Sequence, residues 1–284
     1  MIDVHPTAVI HPSAELGPGV RLGAYAVVGE RVKIGASTEI GPHAIIEPFT
    51  SIGQDCRIFP GAIVGASPQD LKFTGEESYL VMGDRNVVRE CVTINRATGL
   101  GETTRIGDDN LFMAYVHVAH NCVIGSHTVL SNGVTLAGHI VVEDYARIGG
   151  LTGLHQFIRI GKMAMIGGMS RLTQDVPPFM LVEGNPAKVY GTNVVLLQRC
   201  EVPSNVRTTL KRAYKLLYRS GLNVSQALER MAGLDPSPEL AHLRAFVDRS
   251  TRGLTGLGAK LAEADEEGEA ASGEAAPPTD PRLK

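Results

Sequence analysis

Imidazoles are unevenly spread along this chain. Five of its nine histidines, His117, His120, His127, His139 and His155, fall within one stretch, FMAYVHVAHNCVIGSHTVLSNGVTLAGHIVVEDYARIGGLTGLHQF. An imidazole titrates near pKa 6.5, so near neutral pH it is mostly uncharged and can take a proton from a hydroxyl. A positioned base contributes roughly 10² to 10⁴ in rate. Gly138, immediately before His139, offers a backbone N–H with no side chain in front of it, the donor an oxyanion requires. A base and an oxyanion donor are the working parts of acyl transfer. His117, His120 and His139 could instead ligate zinc, since imidazole suits that metal.

Such chemistry needs elements that bring distant residues together, and an internal repeat supplies them. Bulky apolar residues recur at every sixth position, from Val4, Ile10, Leu16 and Leu22 to Val64, and again from Ile106, Phe112 and Val118 to Leu172. Glycine often follows the apolar residue, and small or short-branched residues often sit four places after it. A period of six fits neither an amphipathic helix nor an alternating strand, but it fits a hexapeptide β-helix. Each hexad forms one short face with its apolar residue inward, three faces make a coil of 18 residues, and coils stack at about 4.8 Å. Residues 18 apart then lie above one another. His120, Gly138 and Gln156 share one column, with His139 and His155 beside it and His117 on the adjacent face. A substrate of modest size can touch three coils at once. His5, His11, His43 and His242 read as ordinary surface residues, and His127 carries no signal of its own.

Two stretches leave the hexads, residues 66–81 and 95–105. Insertions in a solenoid emerge as surface loops that can wall a binding site. The first carries Asp70, Lys72 and an exposed-looking Phe73. Beyond QDVPPFMLVEGNPAKVYGTN helical signals take over: Ser204 is a cap candidate for NVRTTLKRAYKLLYRS, which Gly221 would stop; Asn223 or Ser225 can start QALERMAG, and Ser237 with Pro238 opens ELAHLRAFVDRS.

Composition excludes other classes. No run reaches the roughly 18 apolar residues of a membrane span, and MIDVHPTAVIHP lacks the regions of a signal peptide, so a cytoplasmic protein without membrane insertion is expected. The formal net charge of −3 is a poor footprint for nucleic acid. Four dispersed cysteines, Cys56, Cys91, Cys122 and Cys200, suit free, mostly buried thiols. From residue 255 the chain turns acidic and poor in large apolar side chains, which reads as a disordered tail over 255–284.

The segments QDLKFTGE, HVAHNCVIG, LAGHI, GGLTGLHQF, QDVPPFMLVEGNPAKVYGTN, RAYKLLYRSG and RSTRGL together resemble the acyl-carrier-protein-dependent UDP-N-acetylglucosamine O-acyltransferases, which open lipid A biosynthesis, over residues 1 to about 254. The resemblance implies a homotrimer of left-handed parallel β-helices (residues 1–190) followed by a small α-helical C-terminal domain (191–254), with active sites between subunits and no cofactor or metal. An (R)-3-hydroxyacyl group would pass from the carrier protein's thioester to the sugar 3-hydroxyl. His120 would be the general base and Gly138 the oxyanion donor. His117, His139 and Gln156 would hold the sugar and its N-acetyl group, with Asp70 and Lys72 contributing from the first loop and His155 near the diphosphate. Asn193 and Arg199 would contact the nucleotide, and Gly168 would set acyl length. Lys211, Arg212, Lys215 and Arg219 form a basic helix face suited to an acidic carrier protein.

Three positions depart from some relatives. Asn121 stands where an aspartate can orient and charge-stabilise the base, and Val195 and Cys200 stand where glutamate and a second arginine can occur. Rival readings are an N-acyltransferase acting on a 3-amino UDP-sugar, a zinc-dependent carbonic anhydrase of the hexapeptide-repeat type, and a non-catalytic scaffold.

Overall fold

A computed structural model describes residues 2–257. The hexads form a left-handed parallel β-helix. Most strands are two residues long, and they stack into three parallel sheets of 11, 9 and 8 strands, the first ending in an antiparallel pair. Within the unbroken coils the register advances by 18 residues, pairing His117 with Thr135, Thr135 with Gly153 and Gly153 with Arg171. The insertions lengthen single coils by whole hexads: Val64 pairs with Ile94 at an offset of 30, and Thr93 with His117 at 24. That is why the register returns unshifted after each interruption.

The corners explain both the winding and the site. Non-glycine residues at six-residue intervals take positive φ, among them Tyr25, Arg31, Ser37, Asn121, His139 and Phe157. A left-handed conformation costs such a residue about 1–2 kcal/mol. Stacked backbone hydrogen bonds offset that cost. His139 N–H donates to His120 O at 3.0 Å, and Phe157 N–H to Gly138 O at 3.2 Å. The bonds that stabilise the corners therefore also tie together the column of candidate site residues.

Inward apolar side chains such as Leu130, Leu136 and Ile148 are buried, as are the residues two places before them, including Val134, Ala146 and Thr128. One polar member of this second set, Asn86, is satisfied within the corners: its Nδ2 donates to Gly83 O and Gly107 O while its Oδ1 accepts from Asn110 N–H. Among the described residues nothing packs beneath the N-terminal coil, and Val4 stays 38% exposed.

At the other end the β-helix is closed by a feature the hexads do not reveal, an antiparallel strand pair, Met180–Gly184 and Ala187–Thr192. Four helices follow: α1 (Val194–Arg199), α2 (Ser204–Tyr218), α3 (Val224–Met231) and α4 (Pro238–Asp248). Asn223 caps α3 in a reciprocal pair with Gln226, and Ser237 caps α4 with Pro238 as its first residue. Ser204 is no cap; it is the first helical residue of α2, preceded by Pro203 without a side-chain cap. The short α1 was not anticipated, because VVLLQR is rich in strand formers; its one signal is the cap Asn193.

Several expectations need correction. The loops are narrower than 66–81 and 95–105, since Tyr79–Met82 and Thr103–Ile106 are paired strands. Phe73 is half-buried. His242 is more than surface: it bonds Glu143 at 2.7 Å and meets the Phe179 ring edge-on, fastening α4 to the β-helix. Only Cys56 and Cys122 are buried, and burial pushes their thiols up to about 11 and about 12; Cys91 is exposed and Cys200 partly so, all four being free. The acidic tail does not begin at 255. Leu254 bridges Asp175, and Thr255 is buried, donating its amide to Asp175 O and its hydroxyl to Gln174 O. Residues 258–284, the rest of that expected tail, lie outside the described residues. Among the described residues, no helix is long and apolar enough to cross a membrane.

Candidate active site

His120 sits at the corner after strand His117–Val118, and its side chain is only 13% exposed. The next residue, Asn121, fixes its state. Asn121 Oδ1 accepts Thr98 N–H at 2.9 Å, and its Nδ2 donates to Thr98 O at 3.1 Å. A backbone N–H can only donate and a carbonyl can only accept, so the amide orientation is determined. Oδ1 also lies 2.9 Å from His120 Nδ1. That contact requires a proton on Nδ1, so that in the neutral ring the lone pair is on Nε2. An aspartate in place of Asn121 would give the same tautomer with a charge; here the amide holds the ring through a two-point grip on the second insertion.

Charge comes from the other side. Asp70 Oδ2 lies 3.8 Å from Nε2, where its charge stabilises an imidazolium. Its Oδ1 accepts Lys72 N–H at 3.0 Å. That bond first, and the neighbouring imidazole second, hold the carboxyl below its usual range. Glu76 joins the two insertions: Oε1 accepts Gly99 N–H at 2.8 Å and Oε2 accepts Thr74 N–H at 2.8 Å. Such bonds hold its carboxyl down at about 2.

Gly138 lies directly behind the imidazole, at a position where no side chain fits. A Cβ there would come within 2.6 Å of both His120 Cε1 and Nε2. Its carbonyl accepts Phe157 N–H, while its own N–H makes no hydrogen bond among the described residues. A free donor thus stands beside a free base.

A groove of about 610 Å³ passes over this corner, lined by His117, His120, Gly138, His155 and Gln156, and also by Gln69, Arg171 and Thr173. His117 is tied to Thr93 Oγ1 at 2.8 Å, and burial lowers its pKa. His139 stacks on Phe157 at 4.7 Å and meets His120 edge-on at 5.2 Å; burial, then the charge of His120, lower its pKa. His155 is exposed, its Nδ1 3.4 Å from Arg252 Nη2. Among the described residues no three His, Cys, Asp or Glu side chains are grouped to hold a metal ion. Arg171 and Thr173 escaped the sequence reading although the 18-residue spacing points to them, above Gly153 and His155. Thr98 had no such signal, because its place depends on a loop.

The remaining candidates do not line the groove. Asn193 is buried as the cap of α1, Oδ1 accepting Leu196 N–H and Nδ2 donating to Met163 O. Arg199 is exposed at the end of the same helix, as is the neighbouring Val195. Gly168 lies at an exposed corner, where a Cβ would approach Gly150 O to 3.1 Å. Lys211, Arg212 and Lys215 are exposed on α2, and Arg219 is exposed as its C-terminal cap. Arg212 pairs with Asp235 at 3.7 Å, and Arg219 Nε donates to the Tyr214 hydroxyl at 3.0 Å.

A family model described as "Udp N-acetylglucosamine O-acyltransferase; Domain 2" matches residues 175–255, and one described as "Bacterial transferase hexapeptide (six repeats)" matches residues 103–138. The chain is 49% identical over 263 residues to the acyl-[acyl-carrier-protein]–UDP-N-acetylglucosamine O-acyltransferase of Verminephrobacter eiseniae, covering 89% of this chain and 99% of that one. It is 52% identical over 202 residues to the protein of that name from Synechocystis sp., covering 71% and 73%. The crystal structure of a UDP-N-acetylglucosamine acyltransferase from Bacteroides fragilis matches with a TM-score of 0.86 at 39% identity, covering 88% and 98%. By sequence and by fold, this chain belongs to the acyl-[acyl-carrier-protein]–UDP-N-acetylglucosamine O-acyltransferase family.

Proposed function

We propose that this protein transfers an (R)-3-hydroxyacyl group from acyl-carrier protein to the 3-hydroxyl of UDP-N-acetylglucosamine, the opening step of lipid A biosynthesis. The observation that carries the reading is Nε2 of His120 beside the N–H of Gly138, which makes no hydrogen bond among the described residues. Nε2 takes the proton of the sugar hydroxyl as its oxygen attacks the thioester carbonyl. The new C–O bond leaves a tetrahedral oxyanion, which the Gly138 N–H stabilises. Collapse breaks the C–S bond, and the imidazolium returns its proton to the departing thiolate. Asp70, 3.8 Å from Nε2, favours the imidazolium through both steps.

The sugar would rest against His117, His139 and Gln156, with Asp70 and Lys72 above it and His155 toward the diphosphate. Of the two expected nucleotide contacts, Arg199 has the exposed group; the amide of Asn193 is occupied at the start of α1. The acyl chain would pass Gly168. Lys211 and Lys215, which make no ion pair among the described residues, give α2 a face suited to an acidic carrier protein. A homotrimer with shared active sites and a cytoplasmic location complete the proposal. Mass spectrometry of products formed from acyl-carrier protein, a mixture of acyl lengths and both UDP-N-acetylglucosamine and its 3-amino analogue tests it. An O-acyl product is expected, and acylation of the amine alone would overturn the choice of acceptor.

A further inference from the structure

Arg96 begins the second insertion and is 8% exposed. Burying a guanidinium is costly unless something faces it. Desolvation pulls its pKa down, and the carboxylates of Glu47 and Glu76 oppose that fall. Its Nε has no hydrogen-bond partner among the described residues. What faces it instead are two rings. Cζ lies 5.7 Å from the centre of Phe49 and 5.4 Å from that of Phe73, over both, within the range of attraction between a cation and a ring face.

The two rings belong to different parts of the fold. Phe49 is a corner of the coil, its N–H bonded to Glu30 O and its carbonyl accepting Leu80 N–H. Phe73 lies on the first insertion. Its N–H donates to Asp70 O at 3.0 Å, and Asp70 Oδ1 accepts Lys72 N–H, so residues 70–73 form one closed turn. One path from the coil to Asp70 therefore runs through Phe49, Arg96 and Phe73, beside the bond from Asn95 Nδ2 to Ser67 O at 2.9 Å. No step of the transfer uses Arg96 directly.

We infer that Arg96 is a positioning residue for acyl transfer: its buried guanidinium, set against Phe49 and Phe73, holds the 70–73 turn so that Asp70 faces Nε2 of His120. The inference rests on the functional reading above. It has two consequences that a merely structural arginine would not have. Loss of Arg96 acts through Asp70, and the flat guanidinium matters beyond its charge, because an ammonium has no planar face to lay against a ring.

A double-mutant cycle on the full chain tests it, with kcat, KM and thermal melting measured for wild type, Arg96→Met, Asp70→Asn and the double variant, alongside Arg96→Lys and Phe73→Leu. Arg96→Met is expected to lower kcat/KM about tenfold in the wild-type background and less than about twofold in the Asp70→Asn background. Arg96→Lys and Phe73→Leu are expected to reproduce most of the loss. Phe73 lies on an insertion outside the core, so its variant remains informative should changes at the buried arginine disturb folding. Equal losses in both backgrounds, or wild-type turnover in Phe73→Leu or Arg96→Lys, would overturn the inference. A wild-type chain with no acyl transfer would defeat the functional reading along with it, whereas an active wild type with additive losses defeats this inference alone.

Discussion

Replacing Gly138 by alanine is the smallest change that separates chemistry from folding in this protein. The added methyl would stand 2.6 Å from His120 Cε1 and Nε2 and 3.2 Å from Nδ1. Carbon contacts are comfortable at about 3.5–4.0 Å, so the ring must retreat by about 1 Å. It cannot retreat freely, because Nδ1 is held 2.9 Å from Asn121 Oδ1 and Asn121 is pinned to Thr98 at two points. The ring either leaves its rotamer, costing about 0.5–1.5 kcal/mol, or gives up a hydrogen bond worth about 1 kcal/mol. Gly138 does not need positive φ, so alanine also lowers unfolded-state entropy and returns about 0.4–1 kcal/mol. The net loss of stability then lies between about zero and about 1 kcal/mol, at most a few degrees of melting temperature. Misplacing a reacting group by about 1 Å costs on the order of 10² in rate. Steady-state kcat/KM with acyl-carrier protein and UDP-N-acetylglucosamine, read beside calorimetric melting, is the assay. We expect about a hundredfold loss in activity with melting lowered by at most a few degrees. Turnover within about threefold of wild type in the folded variant would refute the placement of the base against Gly138.

Two further outcomes follow from the same geometry. The pKa values of His117 and His139 are both lowered in the folded chain, chiefly by burial. Above the unfolded value near 6.5 both are neutral in either state, and their contribution to stability is fully present. Below it the unfolded chain binds protons that the folded chain refuses, so stability falls as pH drops from about 6.5 through the folded values. Calorimetry across that window should show a shallower fall for His117→Gln/His139→Gln than for wild type; parallel curves would contradict the assignment. Asn121→Leu keeps the bulk but removes the grip on Thr98 and on Nδ1. In ¹⁵N-histidine spectra, wild-type His120 should carry its proton on Nδ1 and the variant should show mixed tautomers, with kcat reduced by at least about tenfold; a single unchanged tautomer in the variant would show that Asn121 does not set it.

How much of this could be read from the chain depends on which distances are periodic. The six-residue recurrence of Ile, Val and Leu dictates coils, and coils put His120, Gly138 and Gln156 one above another whatever the side chains do in detail. The same arithmetic points to Arg171 and Thr173, above Gly153 and His155, although the sequence reading did not apply it to them. What periodicity cannot supply is the path of an insertion. The hold of Thr98 on Asn121 and the stacking of Arg96 on Phe73 arise where 12- and 6-residue excursions fold against each other, and no spacing rule relates residue 73 to 96 or 98 to 121. Asn121 itself read as a weakened aspartate because its partner was out of sight. The helical end was legible where caps are strong, at Asn223 and Ser237. It failed at Ser204, a good capping residue that lies one place inside the helix.

The most direct test of the account is turnover of His120→Ala in O-acyl transfer to UDP-N-acetylglucosamine, with far-ultraviolet circular dichroism and melting compared with wild type. The account predicts a loss of at least about a hundredfold with the β-helix intact. A folded variant that still transfers the acyl group at a rate near wild type would contradict it.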